Sequence, residues 1–282
     1  MSNNKNHIDP NHELNELDEL LFEQADVSFS TSKQDVLAQI KGNTKQVKAM
    51  RFGAIKVAAS LAIILGSAFA FMNIYTKSYS TGNSVLANVN LPDGSTVKLN
   101  ANSNLSVKPY WWFVNRNVKF EGEGFFTVEK GSKFIVESAN GSTSVLGTSF
   151  NINSRNSDYT VYCKTGKVLV QNSNSKVEIT PNKMAKMAPN GELITSTANE
   201  EIVLSWTNGL LNFKNTSLKQ VFNELQTQYD ITIEVSRNVD LFNTYTGIFT
   251  KPTNPIEALS IICITHNLQV YQQDTNRFLI KK

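Results

Sequence analysis

The chain has 282 residues, of which 18 % are charged, and a formal net charge of +3 at pH 7. This length allows roughly two domains of ordinary size. Because the positive and negative charges nearly cancel, the net charge gives no indication of a nucleic-acid partner. The charges are unevenly distributed, because residues 1–40 hold eight acids and two lysines, whereas residues 41–56 hold five cations and no acid.

The acidic N-terminal segment contains a short amphipathic pattern. Its apolar residues recur at steps of three and four and are separated mostly by acids; they are Leu14, Leu17, Leu20 and Leu21. This spacing predicts an acidic helix over residues 13–22, and a second candidate helix covers residues 33–48. Neither helix can bury much surface by itself, so residues 1–51 are expected to be either a partly helical protein-binding segment or a solvated tether.

Residues 52–75 are the most hydrophobic segment, and residues 57–72 carry no charge. As a helix they would extend about 36 Å, enough to cross a hydrocarbon layer of about 30 Å. Because the flanking cations lie mostly before this segment, the positive-inside rule predicts a cytoplasmic N-terminus and an exported C-terminal part. A buried core helix and a cleaved secretory signal, with Ala68–Ala70 resembling a cleavage site, are the alternatives.

Residues 76–84 are expected to be a linker, and residues 85–195 are expected to form a β domain. Short apolar runs recur there every eight to twelve residues between Gly, Asn, Asp and Ser, which is typical of an all-β sandwich, solenoid or barrel-like unit. The residues Lys164–Lys167 are predicted to be a hairpin loop. Trp111 and Trp112 are adjacent, so one of them is expected in the core and the other at the surface.

Two glycines and two acids alternate in the strand-like run FEGEGFF. Gly122 and Gly124 suggest a bulge or a close approach of two backbones. Glu121 and Glu123 would face the same way on a regular strand, and a solvated strand face is favoured over a catalytic carboxylate pair because no matching histidine or second acid group accompanies them.

The pattern changes near Trp206, and residues 205–282 are predicted to form a small α+β domain. Its elements follow the order β-α-β-β-α-β-β, which predicts a sheet with two helices on one face. Thr216 or Ser217 is expected to cap the first helix, and Pro255 to open the second.

The residues that metal binding or catalysis would need are not grouped in the sequence. His7, His12 and His266 do not cluster, so neither a metal nor a cofactor is predicted. Cys163 and Cys263 are expected to be packed and unpaired, with a disulfide in an oxidising compartment as the alternative. A phosphate-binding glycine loop and a nucleophile elbow are both missing from the sequence, so the chain is not expected to be an enzyme.

Three ordered motifs resemble the FecR domain. They are LPDGSTVKLNANSNLSV, which is similar to the start of that domain, FEGEGFFTVEKGSKFIVES, which is similar to its next signature, and SVLGTSFNI. Gly124 stands where alanine is usual in the family. Residues 206–282 resemble the C-terminal domain of FecR proteins of the Bacteroidota type, which is related to the short N-terminal module of secretins and TonB-dependent receptors.

The resemblance implies a single-pass anti-sigma factor of the inner membrane, with a cytoplasmic N-terminus and a periplasmic C-terminus. Its partners would be an extracytoplasmic-function sigma factor and the N-terminal signalling domain of a TonB-dependent outer-membrane receptor, together controlling iron-siderophore or glycan uptake genes. Intramembrane and periplasmic proteases would carry the signal, without direct nucleic-acid contact. The candidates for the sigma-factor contact are Leu14, Leu17, Leu20 and Leu21, and those for the receptor contact are Phe213, Tyr245 and Phe249.

Two further interpretations are left open. Gly147-Thr148 matches a pair at which some family members are reported to cleave themselves, by attack of the threonine hydroxyl on the preceding carbonyl; a strand position for small residues is the other interpretation. The N-terminal segment is shorter than is usual in the family and lacks the tryptophan often found there. The alternative function is therefore a tethered periplasmic binding or scaffold module with an inert cytoplasmic tail.

Overall fold

The computed structural model describes residues 32–43, 51–250 and 254–282. The chain divides into two compact units, residues 1–63 and 64–282. Helix α1 spans Lys33–Asn43 and helix α2 spans Arg51–Ile74. The first predicted helix, with Leu14, Leu17, Leu20 and Leu21, lies outside the described residues, as do residues 44–48 of the second.

Helix α2 coincides with the predicted apolar segment. From Gly53 to Ile74 it is long and apolar enough to cross a membrane, and it is the one such helix in the part of the chain that the structure describes. Its described side chains are exposed except for the half-buried Asn73, which argues against a buried core helix. The hydroxyls of Ser60 and Ser67 donate to carbonyls one turn earlier, so the helix satisfies both of its serine hydroxyls.

The β domain consists of thirteen strands that form two sheets around one core. The strands are β1 Lys77–Thr81, β2 Ala87–Asn90, β3 Thr96–Leu99, β4 Ser103–Val107, β5 Arg116–Thr127, β6 Phe134–Ser138, β7 Gly141–Val145, β8 Ser149–Ser154, β9 Thr160–Thr165, β10 Val168–Gln171, β11 Lys176–Ile179, β12 Lys183–Met187 and β13 Leu193–Thr197. One sheet has the order β1-β4-β5-β6-β7-β10-β11 and the other β2-β3-β5-β8-β9-β12-β13. Neighbouring strands are antiparallel except β5 and β6, which are parallel.

The core forms because apolar residues alternate with polar ones along these strands. The predicted alternation is confirmed at Val97, Leu99, Leu105 and Val107, none of which is more than 2 % exposed. Of the adjacent tryptophans, Trp112 is buried and Trp111 is half-buried, as expected, although they belong to a short 3-10 helix and its end rather than to a strand.

The expected linker over residues 76–84 is wrong, because β1 occupies most of it. Strand β1 pairs antiparallel with β4, and the hydroxyl of Thr81 donates to the carbonyl of Asn100 at 2.7 Å. Only Tyr75 and Thr76 separate α2 from β1. The run KSYST carries no aliphatic residue, so it lacks the local alternation that would predict a strand. It forms a strand because it pairs with β4, which lies distant in the sequence.

The expected hairpin at Lys164–Lys167 is also wrong. A tight turn is present, with Gly166 at a φ of +75°. However, β9 pairs with β8 and β12, whereas β10 pairs with β7 and β11. The turn therefore connects the two sheets and does not join two neighbouring strands.

Strand β5 crosses from one sheet to the other at Gly122. Before this residue β5 pairs with β4, and after it with β3. Gly122 has a φ of +106°, and a Cβ atom there would lie 2.5 Å from the Cα atom of Ser103, so the predicted close approach is confirmed. The crossing leaves Glu121 exposed and buries Glu123, so the predicted shared solvated face of these two acids is wrong.

The C-terminal domain contains two further sheets. Its elements are α3 Glu200–Val203, a 3-10 helix Ser205–Asn208, β14 Leu210–Ser217, α4 Leu218–Tyr229, β15 Thr232–Val235, β16 Thr244–Thr250, α5 Pro255–Thr265, β17 Gln269–Asp274 and β18 Arg277–Lys281. From β14 onward the order is the expected one. The expected single sheet is wrong, because among the described strands β14 pairs only with β16, while β15, β18 and β17 form a separate sheet in that order.

The two long helices of this domain begin where the sequence predicts. Ser217 caps α4 by accepting a hydrogen bond from the backbone N–H of Gln220, and Asn254 caps α5 immediately before Pro255. Both helices contribute to a second core, which is separate from that of the β domain.

Candidate functional site

A cluster of polar side chains lies where the β domain meets the C-terminal domain. We call it the junction cluster, and it consists of Asn100, Glu123, Asn151, Arg155, Glu224 and Gln228. The first four come from β5, β8 and the segments that follow β3 and β8, and the last two lie one turn apart on α4. The sheet crossing at Gly122 directs Glu123 toward this cluster.

Arg155 connects the two domains through one guanidinium group. Its Nη1 atom lies 2.9 Å from Oε2 of Glu224 and 3.6 Å from Oε2 of Glu123. Its Nη2 atom donates to the carbonyl of Ala101 at 2.7 Å. Because these side chains are largely buried, the ion pairs are screened less than they would be in water.

Amide side chains complete the cluster. Gln228 donates through Nε2 to Oδ1 of Asn100 at 2.9 Å and to Oε1 of Glu224 at 2.7 Å. Glu123 accepts from Asn100 at 2.8 Å and from Asn151 at 3.1 Å, using both carboxylate oxygens. The two domains are therefore joined by hydrogen bonds with specific geometry and not by apolar contact alone.

The buried position of Glu123 changes its acidity. Burial raises the pKa of Glu123 above its ordinary value, and the nearby carboxylate of Glu224 acts in the same direction. Arg155 and the two amide donors oppose this rise by stabilising the charged form, without reversing it.

Further hydrogen bonds hold the domains together around the cluster, among them that from Nδ2 of Asn83 to Oδ1 of Asp230 at 2.9 Å. The indole N–H of Trp206 donates to Asn151 at 3.3 Å, and the ammonium of Lys98 donates to the carbonyl of Thr207 at 2.6 Å. The backbone N–H of Ser84 donates to the carbonyl of Thr227 at 2.9 Å. A cleft of about 330 Å³ opens beside the cluster. This arrangement is suited to fixing the relative position of two domains, since it presents paired charges and amides and no activated nucleophile.

The proposed self-cleavage pair lies between β7 and β8, away from the junction cluster. Gly147 approaches Lys130 closely, because a Cβ atom at Gly147 would lie 2.8 Å from the Cα atom of Lys130. The hydroxyl of Thr148 is buried and has no hydrogen-bond partner among the described residues. Gly147 does not have a positive φ, so the strained turn that the self-cleavage interpretation assumed is not seen there.

The three residues predicted for the receptor contact are not available at the surface. Phe213, Tyr245 and Phe249 are each less than 8 % exposed and form one aromatic group in the second core, with ring centroids 5.9–6.3 Å apart. The prediction that these three side chains are accessible is wrong, because the alternation of residues along a strand does not show which of its two faces is buried. On the opposite face of β16, Ile248 is 61 % exposed.

The two cysteines lie in different cores and are both free. Burial raises the pKa of Cys163 and of Cys263 to about 11. Both thiols are therefore neutral near pH 7 and are poor nucleophiles. Among the described residues, no group of three or more His, Cys, Asp or Glu side chains is placed to hold a metal ion.

Sequence reasoning missed most of the junction cluster. Asn100 and Arg155 lie in polar segments that follow strands, Gln228 lies on the amphipathic helix α4, and their partners in other elements are 23 to 128 positions away. The sequence signal that indicates a special position for Glu123 is the pair of glycines on either side of it. Such a pair indicates an irregular strand, in which residues i and i+2 need not lie on the same face.

Comparison with known proteins identifies both domains. The family model for the FecR protein matches residues 77–169, and the model for the FecR C-terminal domain matches residues 210–280. Two crystal structures of a "putative anti-sigma factor" from Parabacteroides distasonis ATCC 8503, at 1.65 and 2.50 Å resolution, are 26 % identical to this chain with a TM-score of 0.69. They cover 73 % and 74 % of this chain, which in turn covers 99 % of each of them. No curated protein matches the chain.

Proposed function

The chain belongs to the FecR family of anti-sigma factors, and from this we propose that it is a single-pass regulator of the inner membrane. Residues 1–51 would hold an extracytoplasmic-function sigma factor in the cytoplasm, and the two matched domains would lie in the periplasm. The observation that carries the proposal is the order of the apolar helix and the two domains along the chain. A helix long enough to span a membrane leads, after two residues, into a β domain and a C-terminal domain that both match FecR models.

The orientation follows from the charges around α2. Three of the five cations of residues 41–56 precede the helix, Arg51 and Lys56 lie in its first two turns, and Lys77 alone follows it closely. By the positive-inside rule, the N-terminal segment is cytoplasmic. There the acidic helix predicted from the sequence, with its stripe of leucines, would bind a partner that has a basic, apolar groove and would hold it away from DNA.

Retention of the sigma factor by the full chain in membrane vesicles tests the proposal. We expect the double variant Leu17→Asp, Leu21→Asp to lose at least about 1.4 kcal/mol of binding, a tenfold decrease in affinity, because charges replace apolar contacts. Co-sedimentation of the sigma factor with vesicles measures this. The control is Asn15→Asp, which adds a charge between the leucines and retains binding. A sigma factor that never co-sediments with the wild-type chain would favour the tethered scaffold with an inert tail.

The C-terminal domain is the proposed contact for the signalling domain of a TonB-dependent outer-membrane receptor. Strands β14 and β16 pair only with each other among the described strands, so each has an outer edge that can accept a strand from a partner. The exposed side chains Phe242 and Ile248 supply apolar contact area in this domain. Because one helix alone would have to carry the signal across the membrane, release of the sigma factor by regulated proteolysis is favoured over a tilt of that helix.

Self-cleavage at Gly147-Thr148 is a separate proposal, favoured by the buried and unpartnered hydroxyl of Thr148. The hydroxyl oxygen would attack the carbonyl carbon of Gly147, the peptide C–N bond would break, and the freed amine would take the hydroxyl proton. Water would then hydrolyse the ester, leaving a carboxylate on Gly147 and restoring the hydroxyl of Thr148.

A denaturing gel of the purified full chain tests this reaction. We expect two fragments from the wild-type chain, a single band from Thr148→Ala, and two fragments from Thr148→Ser, since serine keeps the hydroxyl. A single band from all three proteins would show that Thr148 only fills a packed strand position.

A further inference from the structure

The segment between β4 and β5 carries an exposed aromatic surface that the proposed function does not use. We call residues 109–114, with the sequence PYWWFV, the aromatic loop. Its anchor is Trp112, which is 2 % exposed and packs edge-to-face on Phe134 with ring centroids 5.8 Å apart. Tyr110, Phe113 and Val114 are 49 %, 93 % and 64 % exposed. A rigidly anchored loop that presents apolar side chains to its surroundings indicates a binding surface.

The aromatic loop contacts the C-terminal turns of α2. The ring of Trp111 lies 5.5 Å from that of Phe69. The ring of Tyr110 lies 6.2 Å from that of Phe71 and 5.3 Å from that of Tyr75. Phe69 precedes the end of α2 by five residues, which corresponds to roughly 8 Å along the helix axis. The loop therefore lies beside the last turns of α2 and not beyond its end.

The covalent connection and the strand register keep the loop at this level. Two residues, Tyr75 and Thr76, join α2 to β1. Lys77 at the start of β1 pairs with Val107 at the end of β4, so the chain enters the aromatic loop next to the point where it leaves α2. Lys77 and Lys108 are exposed at this position, where their ammonium groups can reach lipid phosphates.

We propose that the aromatic loop inserts into the periplasmic leaflet of the membrane, at the boundary between headgroups and acyl chains. This inference rests on the proposed membrane span of α2. Tyr and Trp rings are favoured at that boundary, and apolar surface elements bury themselves there by about 5–10 Å. Phe113 and Val114 are the inserted residues, while Tyr110 and Trp111 of the same loop contact α2. The β domain is thereby held at the bilayer surface in one orientation, which a flexible tether would not provide.

A depth measurement on the full chain in phospholipid nanodiscs tests the insertion. Phe113→Cys is labelled with an environment-sensitive fluorophore, and lipids that carry a nitroxide near the top of the acyl chain serve as the quencher. Native Cys163 and Cys263 are buried and unreactive, so they take little label. The matched control is Phe242→Cys, which replaces another highly exposed phenylalanine, on the C-terminal domain. We expect quenching at position 113 to exceed that at position 242 by at least about twofold, with a blue-shifted emission.

The outcomes separate this inference from the proposed function. If the chain assembles into nanodiscs while the label at position 113 responds to an aqueous quencher as strongly as the label at position 242, the insertion is wrong and the span of α2 still holds. Equal nitroxide quenching at both positions would also overturn it, since the surface would then not be specific to the loop. If the chain does not assemble into nanodiscs at all, the span itself is wrong and the inserted loop fails with it.

Discussion

Glu123 illustrates how one backbone irregularity decides the chemistry of a side chain. Two positions earlier on the same strand, Glu121 is exposed to solvent, whereas Glu123 is 8 % exposed and accepts hydrogen bonds from two asparagines. The difference arises because Gly122 takes a positive φ between them. A carboxylate that would be a solvated surface group on a regular strand becomes a buried member of the junction cluster.

The raised pKa of Glu123 predicts how stability depends on pH. In the folded chain this carboxyl keeps its proton at pH values where the unfolded chain, with an ordinary pKa of 4.5, has released it. Its stabilising contribution is therefore complete below that value and is lost as pH rises through the folded-state pKa. We expect Glu123→Gln to reduce the fall of unfolding free energy with increasing pH, measured by denaturant unfolding of the full chain in detergent micelles.

Glu121→Gln is the control, because it removes a carboxyl from the same strand at an exposed position. Its pH profile should follow that of the wild-type chain. A profile of Glu123→Gln that coincides with the wild type would mean that the pKa of Glu123 does not change on folding.

At the scale of elements, β5 is the strand on which the β domain depends. It is the strand shared by both sheets, pairing with β4 and β6 in one and with β3 and β8 in the other. The crossing requires a residue that tolerates a φ of +106° and presents no Cβ atom to Ser103. Glycine meets both requirements at position 122.

Gly122→Ala should therefore be strongly destabilising. A methyl group there would lie 2.5 Å from the Cα atom of Ser103, and that atom belongs to a paired strand that cannot shift freely. With the cost of a positive φ added, we expect a loss of about 3 kcal/mol in unfolding free energy. Thermal unfolding followed by circular dichroism measures it.

Gly209→Ala separates the backbone cost from the steric one. Gly209 has a φ of +74°, but nothing lies within 4 Å of the position of its added Cβ atom. This variant should lose only about 1 kcal/mol. Equal losses in the two variants would show that the close approach to Ser103 contributes nothing.

At the scale of the whole molecule, the junction cluster links the C-terminal domain to the β domain through buried polar contacts. The two domains have separate cores, so their connection relies on contacts such as those of Arg155 with Glu224 and with the carbonyl of Ala101. A receptor that binds the C-terminal domain would act through this connection on the β domain and on the helix joined to it.

Removing Arg155 should loosen this connection. Arg155→Ala leaves Glu123 and Glu224 facing each other without their shared cation, and we expect a loss of about 3 kcal/mol in unfolding free energy. Amide hydrogen exchange should also quicken in α4, which carries Glu224 and Gln228. The control is Lys167→Ala, which breaks the exposed pair of Lys167 with Glu178 inside the β domain and should cost less than about 1 kcal/mol. Unchanged exchange in α4 would contradict the role of Arg155 as the link.

Much of the fold could be predicted because its signals are local. The apolar run of α2, the alternation along β3 and β4, the cap Ser217 and the helix start at Pro255 each depend on residues within a few positions of one another. The family motifs are of the same local kind. Strand partners are not local, so the sequence does not show that β1 joins a sheet or that the turn at Gly166 connects two sheets.

By itself, therefore, the sequence determined most of the helices and strands but not β1, where the apolar helix lies, and to which family the chain belongs. Only the tertiary structure decided that β5 serves two sheets, that the aromatic residues of β14 and β16 face inward, and that Arg155 meets Glu224 across two domains. The physical reason is that secondary structure follows from the period of apolar residues along the chain. The partner of each strand or charge depends instead on which distant surfaces the whole fold brings within a few ångströms.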